Sequence, residues 1–123
     1  MPKLEECKSV LAELEKASRA DKGLNDRIWV CLCWADLYYH FARGRWHFTG
    51  SLDATIALVE RVLPGWLIAS IGQDDHKAWH AELRKGHITS FSTVSLAGAP
   101  TPPLALLTAL FRALIAQMEK ADG

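Results

Sequence analysis

The sequence predicts an α+β domain in which a three-stranded or larger antiparallel sheet packs against helices, with an N-terminal helical hairpin. Two patterns indicate this class: hydrophobic residues recur at spacings of three and four near both ends of the chain, and they alternate at period two within the second half. The chain has 123 residues, of which 50% are hydrophobic and 23% charged. Because that is enough for one core, residues 1–123 are expected to form a single domain.

The first predicted helix begins the hairpin, which is expected to span residues 1–34. Leu4, Cys7, Leu11 and Leu14 lie on one face of a helix that reaches Ala17, and Lys and Glu residues fill the other face. This pattern is typical of an amphipathic helix with one side against a core.

A polar break at residues 21–23 separates this helix from a second one, which is predicted to begin near Leu24. Asn25 and Asp26 suit the positive end of a helix. The apolar residues that follow are Ile28, Trp29 and Leu32. Two short helices joined by a short break predict a hairpin.

Residues 35–49 are compatible with two interpretations. At period two, Leu37, Tyr39 and Phe41 share one side of a strand that turns near Gly44. At period 3.6, the second helix continues and ends at Gly44. A short strand or irregular connection is slightly favoured.

A third helix is predicted after Ser51, within the region of residues 49–123 that should hold a helix, antiparallel strands and a C-terminal helix. Ser51 is a good N-cap and Asp53 falls in the first turn. The predicted apolar stripe consists of Leu52, Ile56, Val59 and Leu63. Pro64 and Gly65 should end the helix.

Three strands are predicted between residues 66 and 96. Residues 66–71 are rich in strand formers, and residues 77–84 alternate between apolar and polar side chains. A turn at Lys85 and Gly86 would lead into residues 88–96. The alternative is a helix over residues 74–85 that Gly86 caps.

The C-terminal helix has the strongest pattern. Thr101 can cap it, and Pro102 and Pro103 fit its first turn. The stripe of Leu104, Leu107, Phe111, Leu114 and Met118 is widened by Leu106, Leu110 and Ile115. A stripe this wide favours a core helix, although part of it could form a homodimer contact.

The charges of the chain are balanced, with 14 Lys and Arg against 14 Asp and Glu. The balance holds in each segment, which disfavours general binding to nucleic-acid phosphates and also disfavours DNA mimicry. The longest apolar run, residues 28–35, is much shorter than the roughly 20 residues of a membrane span. No membrane partner is therefore expected.

The three cysteines, Cys7, Cys31 and Cys33, are an odd number in a chain that does not need disulfides to fold. They indicate a reducing cytoplasm. Cys31 and Cys33 are separated by one residue, so they form neither a CxxC redox motif nor a zinc knuckle. Buried structural thiols are the favoured interpretation, and pairing with another chain is the alternative.

No arrangement of residues predicts catalysis. His76 and His80 would face one metal ion on a helix, but on a strand they would lie about 13 Å apart. Lys77 follows the first histidine, so the glutamate of a metallohydrolase helix is absent. No glycine-rich phosphate loop and no nucleophile elbow occurs. The sequence predicts no enzyme, no metal site and no cofactor.

One stretch, residues 38–48, combines aromatic and basic side chains and has no acidic residue. Such side chains anchor protein interfaces or stack on nucleic-acid bases. The competing interpretation is that the aromatic rings enter the core while the arginines reach solvent. The predicted partner-binding residues are Tyr38, Tyr39, Arg43, Arg45 and Trp46.

Two segments resemble the phage ABA sandwich domain proteins of bacteriophages and prophages: FTGSLDATIALVERVLPGW at residues 48–66 and APTPPLALLTALFRALIAQ at residues 99–117. The first helix and LNDRIWVCL at residues 24–32 are similar to the start of those proteins. The resemblance implies a layered α+β fold, an α-β-α sandwich, and a phage or prophage source. It assigns no catalytic residue. Thr108 stands where relatives often have Cys.

The hypothesis from the sequence is a small, non-enzymatic phage or prophage accessory protein that binds a macromolecular partner in the host bacterial cytoplasm. The expected partner is a host or phage protein, and the role could be that of a host-directed or anti-defence inhibitor. The alternative is a nucleic-acid or nucleotide-binding module that uses residues 38–48.

Overall fold

The fold is seen in a computed structural model that describes residues 3–32, 47–87 and 90–122. Within these ranges the elements in chain order are α1 (Leu4–Lys16), α2 (Lys22–Leu32), α3 (Leu52–Val62), β1 (Trp66–Gln73), β2 (Trp79–His87), β3 (Ser90–Ala99) and α4 (Pro102–Asp122). The three strands form one antiparallel sheet. The predicted α+β class, with an antiparallel sheet, packed helices and an N-terminal helical hairpin, is confirmed.

The hairpin forms because α1 and α2 each bury one face. Cys7, Val10 and Leu14 are the buried residues of α1. The second helix begins at Lys22, two residues before the predicted start, because the Asp21 carboxylate accepts a hydrogen bond from the Leu24 N–H at 2.9 Å. The residue expected to break the helical pattern is therefore the one that starts α2.

Helix α3 begins as predicted. The Ser51 hydroxyl oxygen accepts a hydrogen bond from the Ala54 N–H at 3.2 Å. Gly65, just after the helix, has a φ of 87°, a left-handed conformation that favours glycine. The buried residues of α3 are Thr55, Leu58 and Val59, whereas the predicted stripe members Leu52 and Ile56 are half-buried. The buried face is thus rotated relative to the prediction.

The sheet has the order β1-β2-β3, with β2 in the centre. Residues 79–87 form a strand, so the alternative of a helix over residues 74–85 is wrong. Ala81 and Leu83 of β2 are fully buried, which explains why the strand prevails over local helix propensity: the alternation places both side chains on one face.

The connection between β1 and β2 is a tight turn organised by Asp74. Its carboxylate accepts hydrogen bonds from the backbone N–H groups of His76 at 2.8 Å and Ala78 at 3.0 Å. Lys77 has a φ of 64°, which is left-handed. An Asp side chain that bonds nearby backbone groups is a common way to stabilise such a turn.

The predicted turn at Lys85 and Gly86 is wrong, because both residues belong to β2. Lys85 pairs with Thr93 and Gly86 pairs with Phe91, so the register of the ladder shifts between them. Glycine within a strand commonly marks such an irregularity. The strand continues to His87, which pairs with Ser90.

Helix α4 lies at the centre of the molecule. It packs on β2 and β3 on one side and on α1 on the other. From position 103 to position 115 every residue except Arg112 is buried. The buried Ser95 hydroxyl of β3 donates a hydrogen bond to the Ala109 carbonyl at 2.8 Å, which joins the sheet to the helix. The predicted core helix is confirmed.

One hydrophobic cluster includes residues from all seven elements. The layers run from the sheet through α4 to α1. None of the helices in the described ranges has the length and hydrophobicity that crossing a membrane requires.

Candidate functional site

The predicted partner-binding residues lie outside the residues that the structure describes. They are Tyr38, Tyr39, Arg43, Arg45 and Trp46, all between Leu32 at the end of α2 and His47. The structure places the two ends of this segment and the surface of the hairpin from which it departs. The candidate site is therefore the part of that hairpin surface that the structure describes.

The C-terminal end of the segment is held against the start of α2 by Thr49 and Asn25. The Thr49 N–H and hydroxyl both donate to Asn25 Oδ1, at 2.8 Å and 2.6 Å. The Thr49 hydroxyl oxygen also accepts a hydrogen bond from the Asp21 N–H at 2.8 Å. Because Asn25 and Thr49 are both buried, these bonds are shielded from water. Phe48, which directly precedes Thr49 in the chain, is fully buried in the core.

A groove between α1 and α2 lies on the same hairpin. It encloses about 260 Å³ and is lined by Glu6, Val10, Asp26, Arg27, Val30 and Cys31. Val10 is 1% exposed and Cys31 is 4% exposed, so they belong to the groove's buried wall. Glu6 and Asp26 are exposed. We call this feature the α1–α2 groove.

Val30 has 68% of its surface accessible and is the most exposed large hydrophobic residue among those whose burial the structure describes. It lies two positions from both Ile28 and Leu32, which are buried. On a helix, two positions correspond to roughly 200°, so Val30 points away from the core. The helical spacing could have identified this exposure from the sequence, but Val30 was not singled out.

The charges around the groove are unequal. Arg27 forms an ion pair with Glu13 and donates a hydrogen bond to the Ser9 hydroxyl at 2.8 Å. The lining residues carry two carboxylates, on Glu6 and Asp26, against the single Arg27 guanidinium. The groove therefore has an apolar wall and a rim that is acidic by formal charge.

Two buried thiols meet beside the groove. Cys7 Sγ of α1 lies 3.7 Å from Cys31 Sγ of α2. The hydrogen bond from the Cys31 thiol lowers the pKa of Cys7. The same bond raises the pKa of Cys31, and burial raises it further. When one proton is lost from the pair, the negative charge is thus favoured on Cys7.

The sequence predicts Cys7 on the inward face of the first helix and predicts Cys31 and Cys33 as buried structural thiols, but it does not predict that Cys7 and Cys31 meet. Their burial is confirmed, and Cys33 lies outside the described residues. Both cysteines fall on the inward faces of adjacent helices, and this pattern was the only sequence feature that could have indicated their contact. Their contact also depends on how closely the two helices pack, and the hydrophobic pattern of a single helix does not predict that distance.

The two histidines considered as metal ligands are both exposed. His80 lies in β2 and His76 lies in the turn before it. The helical arrangement that would point both imidazoles at one ion is therefore not the one adopted. No group of three potential ligands among His, Cys, Asp and Glu occurs within the described ranges.

Comparisons with family models, with curated proteins and with solved structures found no match to this chain.

Proposed function

We propose that this chain is a non-enzymatic binding protein that acts by docking another protein on the outer surface of its helical hairpin. The observation that carries the proposal is Val30, which exposes 68% of its surface at the edge of the α1–α2 groove. Apolar surface that is exposed and rimmed by polar residues can mark a protein interaction site, and Val30 with the groove beside it has this arrangement.

The partner surface that fits the groove has an apolar anchor side chain with basic residues beside it. Val30 offers an apolar contact for the anchor, and Val10 lies in the buried wall of the groove. Glu6, which is exposed, would attract Lys or Arg on the partner, because opposite charges at a rim favour encounter and register. The groove volume of about 260 Å³ is large enough for a side chain, not for a folded domain.

The proposed contact continues into the segment that follows α2. Val30 lies only three positions before residue 33, and the predicted partner-binding residues begin at Tyr38. We propose that the aromatic and basic side chains of this segment, which lies outside the described residues, add to the same contact. Trp, Tyr and Arg commonly contribute most of the binding energy at protein interfaces.

The biological setting is a further part of the proposal. The resemblance of residues 48–66 and 99–117 to phage ABA sandwich domain proteins supports a phage or prophage accessory protein. In that setting the partner is a host or phage protein in the bacterial cytoplasm, and inhibition of a host defence protein is one role. Neighbouring genes test this role: small early genes would support it, and virion structural genes would oppose it.

The test of the binding site compares two exposed aliphatic residues. The chain is used as bait in a bacterial lysate, the captured protein is purified, and its affinity for the variants is measured by calorimetry. Val30→Asp should weaken binding at least tenfold, because it places a charge in the apolar contact. The triple variant Arg43→Ala, Arg45→Ala and Trp46→Ala should also weaken it.

The matched control is Leu67→Asp. Leu67 is 43% exposed on β1, beside Arg84, which lies on the solvent side of the sheet. It should leave the affinity unchanged. If Leu67→Asp abolishes binding and Val30→Asp does not, the groove is not the contact. Salt-sensitive binding of labelled single-stranded nucleic acid, with no protein captured, would favour the alternative class instead.

A further inference from the structure

The buried thiol pair of the hairpin lies beside the proposed binding groove, and Cys31 lines that groove, but the chemistry of the thiols is not needed for the proposed docking. We propose that Cys7 and Cys31 form a thiol–disulfide exchange site, at which reaction with a low-molecular-weight disulfide closes an intrachain disulfide between α1 and α2. This proposal does not depend on the identity or existence of a binding partner.

The sulfurs of Cys7 and Cys31 are already close together. Cys7 Sγ and Cys31 Sγ are 3.7 Å apart, in contact, on two helices that pack side by side. A disulfide needs a separation of about 2.05 Å, so the sulfurs must approach by roughly 1.6 Å. Side-chain rotation together with a small shift of one helix can supply this movement. The fold thus keeps the thiols at a high local concentration relative to each other.

Only one of the two sulfurs belongs to a residue that lines the groove. Cys31 lines the α1–α2 groove and Cys7 does not. Cys7 is 0% exposed and Cys31 is 4% exposed. A small disulfide that enters the groove therefore meets Cys31 first. Because both sulfurs are largely covered, the exchange should be slow, and it must be followed to equilibrium.

The two thiols differ in their chemistry. The hydrogen bond from the Cys31 thiol lowers the pKa of Cys7, and the same bond together with burial raises the pKa of Cys31. Because a thiolate is the species that attacks a disulfide, the first step, at Cys31, should be slow. Once Cys31 is modified, Cys7 Sγ is the sulfur in contact with it and is placed to attack it in the second step.

The reaction can be written with glutathione disulfide as the oxidant. The Cys31 sulfur attacks one sulfur of glutathione disulfide, whose S–S bond breaks, and the first glutathione leaves with the Cys31 proton. The Cys7 sulfur then attacks Cys31 Sγ, the mixed disulfide breaks, and the second glutathione leaves with the Cys7 proton. Two protein thiols are oxidised by two electrons, and one glutathione disulfide is reduced to two glutathione molecules.

The experiment incubates the purified chain in glutathione buffers from fully reduced to fully oxidised. Remaining thiols are then alkylated, and intact mass and peptide maps are recorded. The expected product lacks two hydrogen atoms, carries no glutathione on Cys31, and contains a peptide pair linked through Cys7 and Cys31. Because 24 positions separate the two residues, the cross-link should lower the unfolding equilibrium constant on the order of 100-fold.

Three variants separate the roles of the cysteines. Cys33→Ala should give the same linked product as the unmodified sequence. Cys7→Ala should accumulate a glutathione adduct on Cys31, since the resolving thiol is gone. Cys31→Ala should leave Cys7 reduced. Circular dichroism confirms that each variant is folded, and the peptide map of the unmodified sequence gives an answer independent of the variants.

Two results would overturn the proposal. In the first, the folded chain stays reduced in fully oxidised glutathione, although the same chain unfolded in urea is oxidised; the fold then holds the sulfurs apart. In the second, the linked peptides contain Cys33 in place of Cys7 or Cys31, which would assign the exchange to a different pair.

Discussion

Helix α4 and the hairpin helices α1 and α2 use hydrophobic residues in different ways. Between positions 103 and 115, α4 is buried all round except at Arg112. In contrast, α1 buries only Cys7, Val10 and Leu14, and α2 exposes Val30. The reason is position: α4 lies between the sheet and α1, whereas the hairpin has one side in solvent. Stability should therefore be concentrated in α4, and binding capacity in the hairpin.

The largest expected effect comes from removing a core ring of α4. Phe111→Ala should lower the free energy of unfolding by about 4 kcal/mol, because Phe111 is fully buried and its loss leaves a cavity. Urea unfolding followed by circular dichroism measures the change. Val30→Ala in the hairpin is the control and should change stability by at most about 0.5 kcal/mol. Equal losses in both variants would contradict the contrast between the two regions.

The next largest effect is expected where Asn25 of the hairpin binds Thr49. Asn25→Ala should lower the free energy of unfolding by about 2 kcal/mol, because the buried Thr49 N–H loses its acceptor and the Thr49 hydroxyl keeps only the longer bond to the Asp21 carbonyl, at 3.2 Å. Thermal and urea unfolding measure the change. Lys22→Ala, at an exposed position of the same helix, should have little effect. A loss of similar size at Lys22 would mean that α2 itself, and not the Thr49 contact, is being weakened.

A smaller effect is expected where the sheet is joined to α4. Ser95→Ala removes the buried hydroxyl that donates to the Ala109 carbonyl, and should lower the free energy of unfolding by about 1 kcal/mol. Ser70→Ala, at an exposed position of β1, provides a comparison in the same sheet and should be neutral. If Ser95→Ala is neutral too, apolar packing alone holds β3 against α4.

The smallest effect is expected for the ion pair that joins α4 to helix α1 of the hairpin. Arg112, the exposed residue of the α4 core segment, donates to the Glu15 carboxylate of α1 at 2.9 Å. Since both side chains are exposed, Glu15→Gln should lower the free energy of unfolding by at most about 0.5 kcal/mol. The difference should shrink when salt is raised. A salt-independent loss above 1 kcal/mol would show that the hairpin depends on this pair.

Local patterns predicted most of the fold, and the exceptions have identifiable causes. Ser51 was recognised as a cap because capping needs only neighbouring backbone groups. The predicted turn at Lys85 and Gly86 failed because glycine also marks a register shift within a strand. Asp21 was interpreted as a break because a polar residue between helices can end one helix or begin the next.

The candidate site was less predictable than the fold. Residues 38–48 were singled out by composition, and most of them lie outside the described residues. The α1–α2 groove and the Cys7–Cys31 contact could not be identified from composition, since they depend on which faces of two helices meet. Val30 could have been identified from helical spacing alone, because it lies opposite the buried residues of α2.

By itself the sequence determined the type of every described element except β2, together with the inward face of α1, because cap residues and hydrophobic spacing act within a few residues. Only the tertiary structure decided that residues 79–87 form a strand and not a helix, since Ala81 and Leu83 gain burial only when α4 covers them. It also decided that Cys7 and Cys31 meet. Burial and side-chain contact arise between elements that are distant in the chain. A local sequence pattern therefore does not predict how closely two elements pack.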